Sequence, residues 1–201
     1  MAGFAPHVAA ARRREEGLEA PPIRPRVLET HAPETVPLSF AQQRLWFIDR
    51  FEPGAAFYNI PAALRLAGPL DPGALARALG EIVRRHEVLR TRFETRDGVP
   101  VQVIDPVPDP LLAICDLGGL PEPVRRAAAD QLARREARRP FDLARGPMLR
   151  AVLMPLGRDR HVLLVTVHHV AFDGWSLGVF LRQLKALYQG LPLPELEVQY
   201  A

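Results

Sequence analysis

Val167-His168-His169-Val170-Ala171-Phe172-Asp173-Gly174-Trp175-Ser176 gathers two imidazoles, a carboxylate and a helix start at the end of an apolar run. Before it, Arg160 to Val167 is rich in branched apolar residues, the pattern of a strand. After it, Leu177, Phe180, Leu181, Leu184, Leu187 and Tyr188 recur at helical spacing. The stretch reads strand, loop, helix, with its polar groups where the strand ends. Histidine titrates near neutrality, so an imidazole held rigidly there is a candidate for proton transfer. Successive strand side chains point to opposite faces, which lets only one of His168 and His169 enter a given cavity. The same alternation, with no cysteine or acidic cluster nearby, argues against a metal site.

Outward from this stretch, helices and strands interleave. Ser39 is a good N-cap, and Gln42 completes a capping box for a helix to about Arg50, with Trp46 and Phe47 expected as core anchors. Asn59 to Leu66 suggests a strand. Asp71-Pro72 opens a helix whose apolar stripe is Leu75, Leu79, Ile82 and Val83. Val88 to Thr95, Asp97-Gly98 and Val99 to Ile104 form a hairpin signal. Pro123 to Arg139 is a polar-faced helix stopped by Pro140. Met148 to Pro155 and His161 to His168 make a second hairpin around Gly157-Arg158-Asp159, and the last helix, Trp175 to Gln189, stops at Gly190. The sum is an α/β lobe with a mixed sheet.

A chain of 201 residues that is 48% hydrophobic can bury one substantial core, so one domain is expected. The formal net charge is only +3, and acidic residues are interleaved among the arginines; Lys185 is the sole lysine. Arg134-Arg135-Glu136-Ala137-Arg138-Arg139 reads as the solvated face of a helix, and no nucleic-acid partner is expected. Cys115 stands alone, which rules out an intramolecular disulfide, fits a reducing compartment and predicts a buried small hydrophobe. No apolar run is long enough to span a bilayer, and Arg12-Arg13-Arg14-Glu15-Glu16 interrupts the N-terminus before a secretory core could form; a cytoplasmic location without membrane contact is predicted. Residues 1–35 carry Pro21-Pro22, Pro25 and Pro33 and read as a linker, partly helical or disordered.

His168-His169-Val170-Ala171-Phe172-Asp173-Gly174 resembles the HHxxxDG signature of condensation domains from non-ribosomal peptide synthetases. Ser39-Phe40-Ala41-Gln42-Gln43-Arg44-Leu45-Trp46 resembles that family's first motif and Arg85-His86-Glu87-Val88-Leu89-Arg90-Thr91-Arg92-Phe93 its second, in the family's order. The similarity runs from about Val36 to Ala201 and includes Pro140-Phe141-Asp142-Leu143. It implies that 36–201 form the N-terminal lobe of a condensation domain: a mixed-sheet sandwich of the chloramphenicol-acetyltransferase-like fold, with the second lobe missing.

The resemblance further implies amide bond formation between acyl or aminoacyl thioesters carried on 4'-phosphopantetheine arms. The partners would be donor and acceptor peptidyl carrier proteins and the missing C-terminal lobe; no cofactor is expected on this chain itself. His169 would be the catalytic residue, with His168, Asp173, Arg90 and Gly174 as structural support. Asp173 is expected to turn from the cavity and pair with Arg90, and Gly174 to allow close backbone approach at the turn. Trp175-Ser176 resembles the subtype that joins an L-donor to an L-acceptor. Alone, such a lobe is expected to be inactive. Two other readings stay open: an HxxxD acyltransferase using a soluble acyl thioester, and a non-catalytic carrier-docking remnant of a synthetase.

Overall fold

The computed structural model describes residues 36–200, so the linker expected over 1–35 lies outside the described part. Within those residues seven strands and four helices alternate: β1 (Val36–Pro37), α1 (Phe40–Phe51), β2 (Asn59–Ala67), α2 (Pro72–Arg85), β3 (Thr91–Arg96), β4 (Val99–Ile104), β5 (Leu112–Ile114), α3 (Glu122–Arg138), β6 (Leu149–Pro155), β7 (Arg160–His168) and α4 (Gly174–Tyr188). The larger sheet has the order β2-β7-β6-β5. Its first three strands are antiparallel neighbours and β5 joins β6 in parallel, which makes the sheet mixed. A smaller antiparallel sheet, β1-β4-β3, stands beside it.

The two faces of the large sheet are covered by different helices, and the pleat decides which side chains each receives. In register, Leu163, Leu64 and Leu153 lie across β7, β2 and β6, as do Val165 with Ala151 and Val167 with Leu149. These residues join Leu75, Leu79, Ile82 and Val83 of α2 and Phe180 and Leu184 of α4 in the main core. The alternate positions Val162, Leu164, Val152 and Met154 pack instead against Ala128, Ala129, Leu132 and Ala133 of α3. Burying a leucine or valine this way contributes roughly 1.5–3 kcal/mol. A third cluster, with Leu38, Leu45, Phe93, Phe141 and Met148, fills the space between the small sheet, α1 and the end of β7.

The capping box at α1 forms as the sequence indicates: Ser39 Oγ accepts the Gln42 N–H at 3.3 Å and Gln42 Oε1 accepts the Ser39 N–H at 2.8 Å. Asp71 caps α2 with proline in its first turn. Asp97 and Gly98 both take positive φ, 50° and 80°, the geometry of a two-residue turn joining twisted strands.

Four expectations need correction. Phe47 is not a core anchor; it is 65% exposed, because it shares the outward face of α1 with Phe40 and Phe51, while Trp46 alone packs on the cluster beneath. Val88 to Arg90 do not belong to the hairpin, since Glu87–Arg90 form a single 3-10 turn that drives Val88 and Leu89 into the core before β3 starts. Within the arginine-rich end of α3 the arginines are solvated, but Glu136 is buried beside Arg150. Cys115 is only half-buried.

Candidate active site

β7 ends at His168, whose ring sits on the α3 face of the sheet and is 3% exposed. Its Nδ1 accepts the Val170 N–H at 3.2 Å. Two aromatic rings meet it edge-on, Phe141 at 5.7 Å and Tyr58 at 6.3 Å between centroids. Burial pushes the His168 pKa from its ordinary 6.5 down to about 4, and the nearby His169 and Arg150 push it the same way. A neutral ring is what the geometry requires, since only an unprotonated Nδ1 can accept the Val170 amide.

His169 is the next residue and has the opposite fate. Its backbone N–H donates to the Tyr58 carbonyl at 2.8 Å, which holds the peptide while the imidazole stays exposed. The ring lines a cavity of about 470 Å³ between α1, the end of α2 and α4. Leu45, Ile82, Leu89, Phe172 and Phe180 supply mostly apolar walls. Among the described residues no side chain hydrogen-bonds the His169 ring, so no carboxylate orients it as in a hydrolase triad. The alternation inferred from sequence thus separates a buried from a cavity-facing imidazole.

Asp173 and Gly174 lie beside the cavity but do other work than expected. The Asp173 carboxylate is the N-cap of α4: Oδ1 accepts the Ser176 N–H at 2.8 Å and the Ser176 hydroxyl at 2.6 Å. The Ser176 hydroxyl, then its backbone N–H, hold that carboxyl below the usual range. The expected ion pair with Arg90 is absent. Arg90 instead donates to the Asp105 carbonyl at 2.6 Å and pairs with Glu87 at 3.3 Å, away from the cavity. The physical reason is local: the 3-10 turn brings Glu87 within reach of Arg90, while the N-cap already uses Asp173. Nor does crowding within the described fold require glycine at 174, because a Cβ at that position would meet no atom within 4 Å and φ is not left-handed.

Several residues shape the site through partners distant in the chain, which the sequence does not reveal. Gln42, 1% exposed, bridges to Gln102 at 3.0 Å and so ties α1 to β4 at the cavity's edge. His86 Nε2 and Gln183 Oε1 meet at 2.8 Å across the gap between α2 and α4. Phe141, from the Pro140–Leu143 segment, and Arg150, from the strand after Met148, stand beside the histidine pair together with Tyr58, which lies in no segment the sequence singles out. Among the described residues no three His, Cys, Asp or Glu groups converge as metal ligands, and no helix is long and apolar enough to cross a membrane.

Comparison with known proteins bears on this geometry. The sequence profile of the condensation domain matches residues 32–201. The chain belongs to the condensation-domain family. It is 45% identical over 206 aligned positions to a linear gramicidin synthase of Brevibacillus parabrevis, covering 100% of this chain and 3% of that protein. It is 47% identical to phosphinothricin tripeptide synthetase PhsC of Streptomyces viridochromogenes over 83% of this chain and 16% of that one. Among solved structures, the first condensation domain of the calcium-dependent antibiotic synthetase superposes with TM-score 0.70 at 32% identity, over 81% of this chain and 40% of that chain. The chain therefore corresponds to a single lobe of the chloramphenicol-acetyltransferase-like fold and to a small part of the synthetases it resembles. This condensation-domain lobe carries the family signature at the mouth of its cavity.

Proposed function

We propose that this lobe provides the histidine-bearing wall of a site for amide bond formation between thioesters carried by donor and acceptor carrier proteins. The amine of an acceptor aminoacyl thioester would attack the donor thioester carbonyl; a C–N bond forms, the C–S bond breaks, and the thiol and the amine's surplus proton leave. The observation that carries this reading is the split of the histidine pair. His168 is buried with its acceptor nitrogen occupied, whereas His169 presents a free imidazole to an apolar cavity. An α-amine titrates near pH 8, so an appreciable fraction is already nucleophilic at neutrality and no strong base is needed. His169 would orient the amine and accept its proton, a contribution typically worth roughly 10²–10⁴-fold. The thioester arms belong to the carriers, and the cavity's apolar walls suit their passage; this chain would supply binding, orientation and the proton acceptor. Trp175 and Ser176 favour the subtype that joins L-donor to L-acceptor, and the lobe alone would be inactive, because it spans 40% of the condensation domain it matches.

The test is reconstitution of the complete condensing enzyme with loaded carriers. His169→Ala should abolish product while leaving the fold intact; unchanged turnover would remove His169 from the reaction. Matched L- and D-configured donors test the subtype, and equal rates with both would refute it.

A further inference from the structure

The polar groups on the α3 face of the sheet form a chain of contacts that ends at the histidine loop. Arg150, on β6, is 15% exposed at its side chain and lies beneath the C-terminal end of α3. Its guanidinium donates to the main-chain carbonyls of Glu136 at 3.3 Å, Arg139 at 2.6 Å and Pro140 at 3.2 Å; the Glu136 carbonyl also accepts the Arg139 N–H at 3.3 Å, and the other two lie past the last helical residue. A cation at this end also opposes the negative pole of the helix dipole. From β2, the Asn59 amide donates to Ala137 and Arg139 carbonyls at 2.8 and 2.9 Å and fastens the same helix end. The flat face of the guanidinium lies over the Phe141 ring, 3.8 Å from its centroid. Phe141 in turn meets His168, and His168 accepts the Val170 amide on the far side of His169.

We propose that Arg150 is a positioning residue for His169, acting through Phe141 and His168 to fix the peptide on which the cavity-facing imidazole is mounted. This rests on the role proposed above for His169. Two hydrogen bonds bracket that residue, one from its own N–H to Tyr58 and one from the Val170 N–H to His168, and the His168 ring touches both supports. A ring free to turn would release the Val170 amide. Phe141 prevents the turn only while it is itself held, and the guanidinium packs over its ring. The charge acts in the same direction, since a neighbouring cation disfavours protonation of His168, the one change that would convert Nδ1 from acceptor to donor. The charged or titratable groups near His168 are Arg150 from β6, Tyr58 ahead of β2, and His169 beside it; Glu136 of α3 stands behind Arg150. Lysine could supply the charge at 150, but not the planar fork that bonds three carbonyls and stacks on a ring.

The decisive measurement is amide hydrogen exchange at Val170, with the His168 tautomer read by NMR on the full 201-residue chain. In Arg150→Met, Val170 exchange should rise by about tenfold or more while amides in the middle of β7 keep their protection, and the His168 titration should move upward. Arg150→Lys should give only partial recovery. In the complete enzyme, Arg150→Met should lower kcat by on the order of tenfold with little change in KM, as expected when a catalytic group is displaced and substrate contacts remain. A folded Arg150→Met protein with wild-type Val170 exchange would overturn the proposal. Should that variant fail to fold, Phe141→Leu keeps the Arg150 hydrogen bonds, removes the intervening ring and carries the same test. Failure of both to fold would also overturn it, because the network would then be holding the domain and not the loop. The exchange readout needs no turnover, so it separates loss of this proposal from loss of the role given to His169.

Discussion

Asp173 and Ser176 close the first turn of α4 on themselves, with one carboxylate oxygen accepting both the backbone N–H and the hydroxyl of the residue three positions on. An exposed N-cap is therefore what the signature aspartate contributes within this lobe. Replacing such a cap by alanine costs about 1 kcal/mol, whereas stranding a buried charge costs roughly 3–5 kcal/mol. Asp173→Ala should accordingly remain folded, with a melting temperature lowered by a few degrees, and Asp173→Asn should recover most of the loss because asparagine caps nearly as well. An insoluble Asp173→Ala protein would show that the carboxylate has a partner beyond the helix it caps.

A double-mutant cycle with Arg90 tests the same point from the other side. Arg90 fastens the Asp105 carbonyl and Glu87, so Arg90→Ala should destabilise by roughly 1–3 kcal/mol through polar groups left without a partner. Because neither residue touches the other's partners, the two substitutions should add to within about 0.5 kcal/mol. Coupling of about 2 kcal/mol or more in denaturant unfolding would mean that the ion pair forms in solution after all.

These two residues also mark where sequence reading succeeds and where it stops. Order, type and approximate bounds of the helices were legible because local chemistry sets them: the Ser39 and Gln42 capping box, Asp71-Pro72, and the apolar stripe from Leu75 to Val83. That only one histidine of the pair could face a given cavity followed from strand geometry, and the choice of His169 came from the family resemblance. Partners distant in sequence were not legible. Asp173 could be matched to Arg90 or to Ser176 on paper, and only the fold decides. The short β5 is too brief to show a period, yet it supplies the parallel pairing of the mixed sheet. Phe47 misled because an exposed aromatic on α1 has the same spacing as a buried one shifted by one residue. Arg150 carried no signal, since a lone arginine in a strand says nothing of the helix end above it.

Gly174 offers a separation of stability from activity. With open space where a side chain would stand and an ordinary φ in the first turn of α4, Gly174→Ala should leave the melting temperature unchanged or slightly raised, since alanine costs less conformational entropy. If glycine is needed at this exposed position beside the cavity, the need comes from a group that approaches from outside the described fold. The same variant should then lose turnover in the complete enzyme. A clear drop in thermal stability would instead place the constraint inside the lobe.

The buried imidazole predicts a pH dependence with a definite sign. His168 has a native pKa near 4 against an ordinary 6.5, so between these values the unfolded chain binds a proton that the native chain excludes. Stability from this group is complete above about pH 6.5, falls as the solution is acidified, and is exhausted below about pH 4. The gap corresponds to on the order of 3 kcal/mol, a large share of a small domain's total. Carboxylates titrate over part of the same range, so the wild-type curve alone does not isolate the effect. The comparison is with His168→Asn, whose side-chain oxygen can still accept the Val170 amide but does not titrate. Urea unfolding from about pH 7 to about pH 4 should show the wild type losing stability faster than this variant, most of it between pH 6.5 and 4. Parallel curves would mean that His168 is protonated in the folded protein, and that the neutral acceptor assigned to its Nδ1 is wrong.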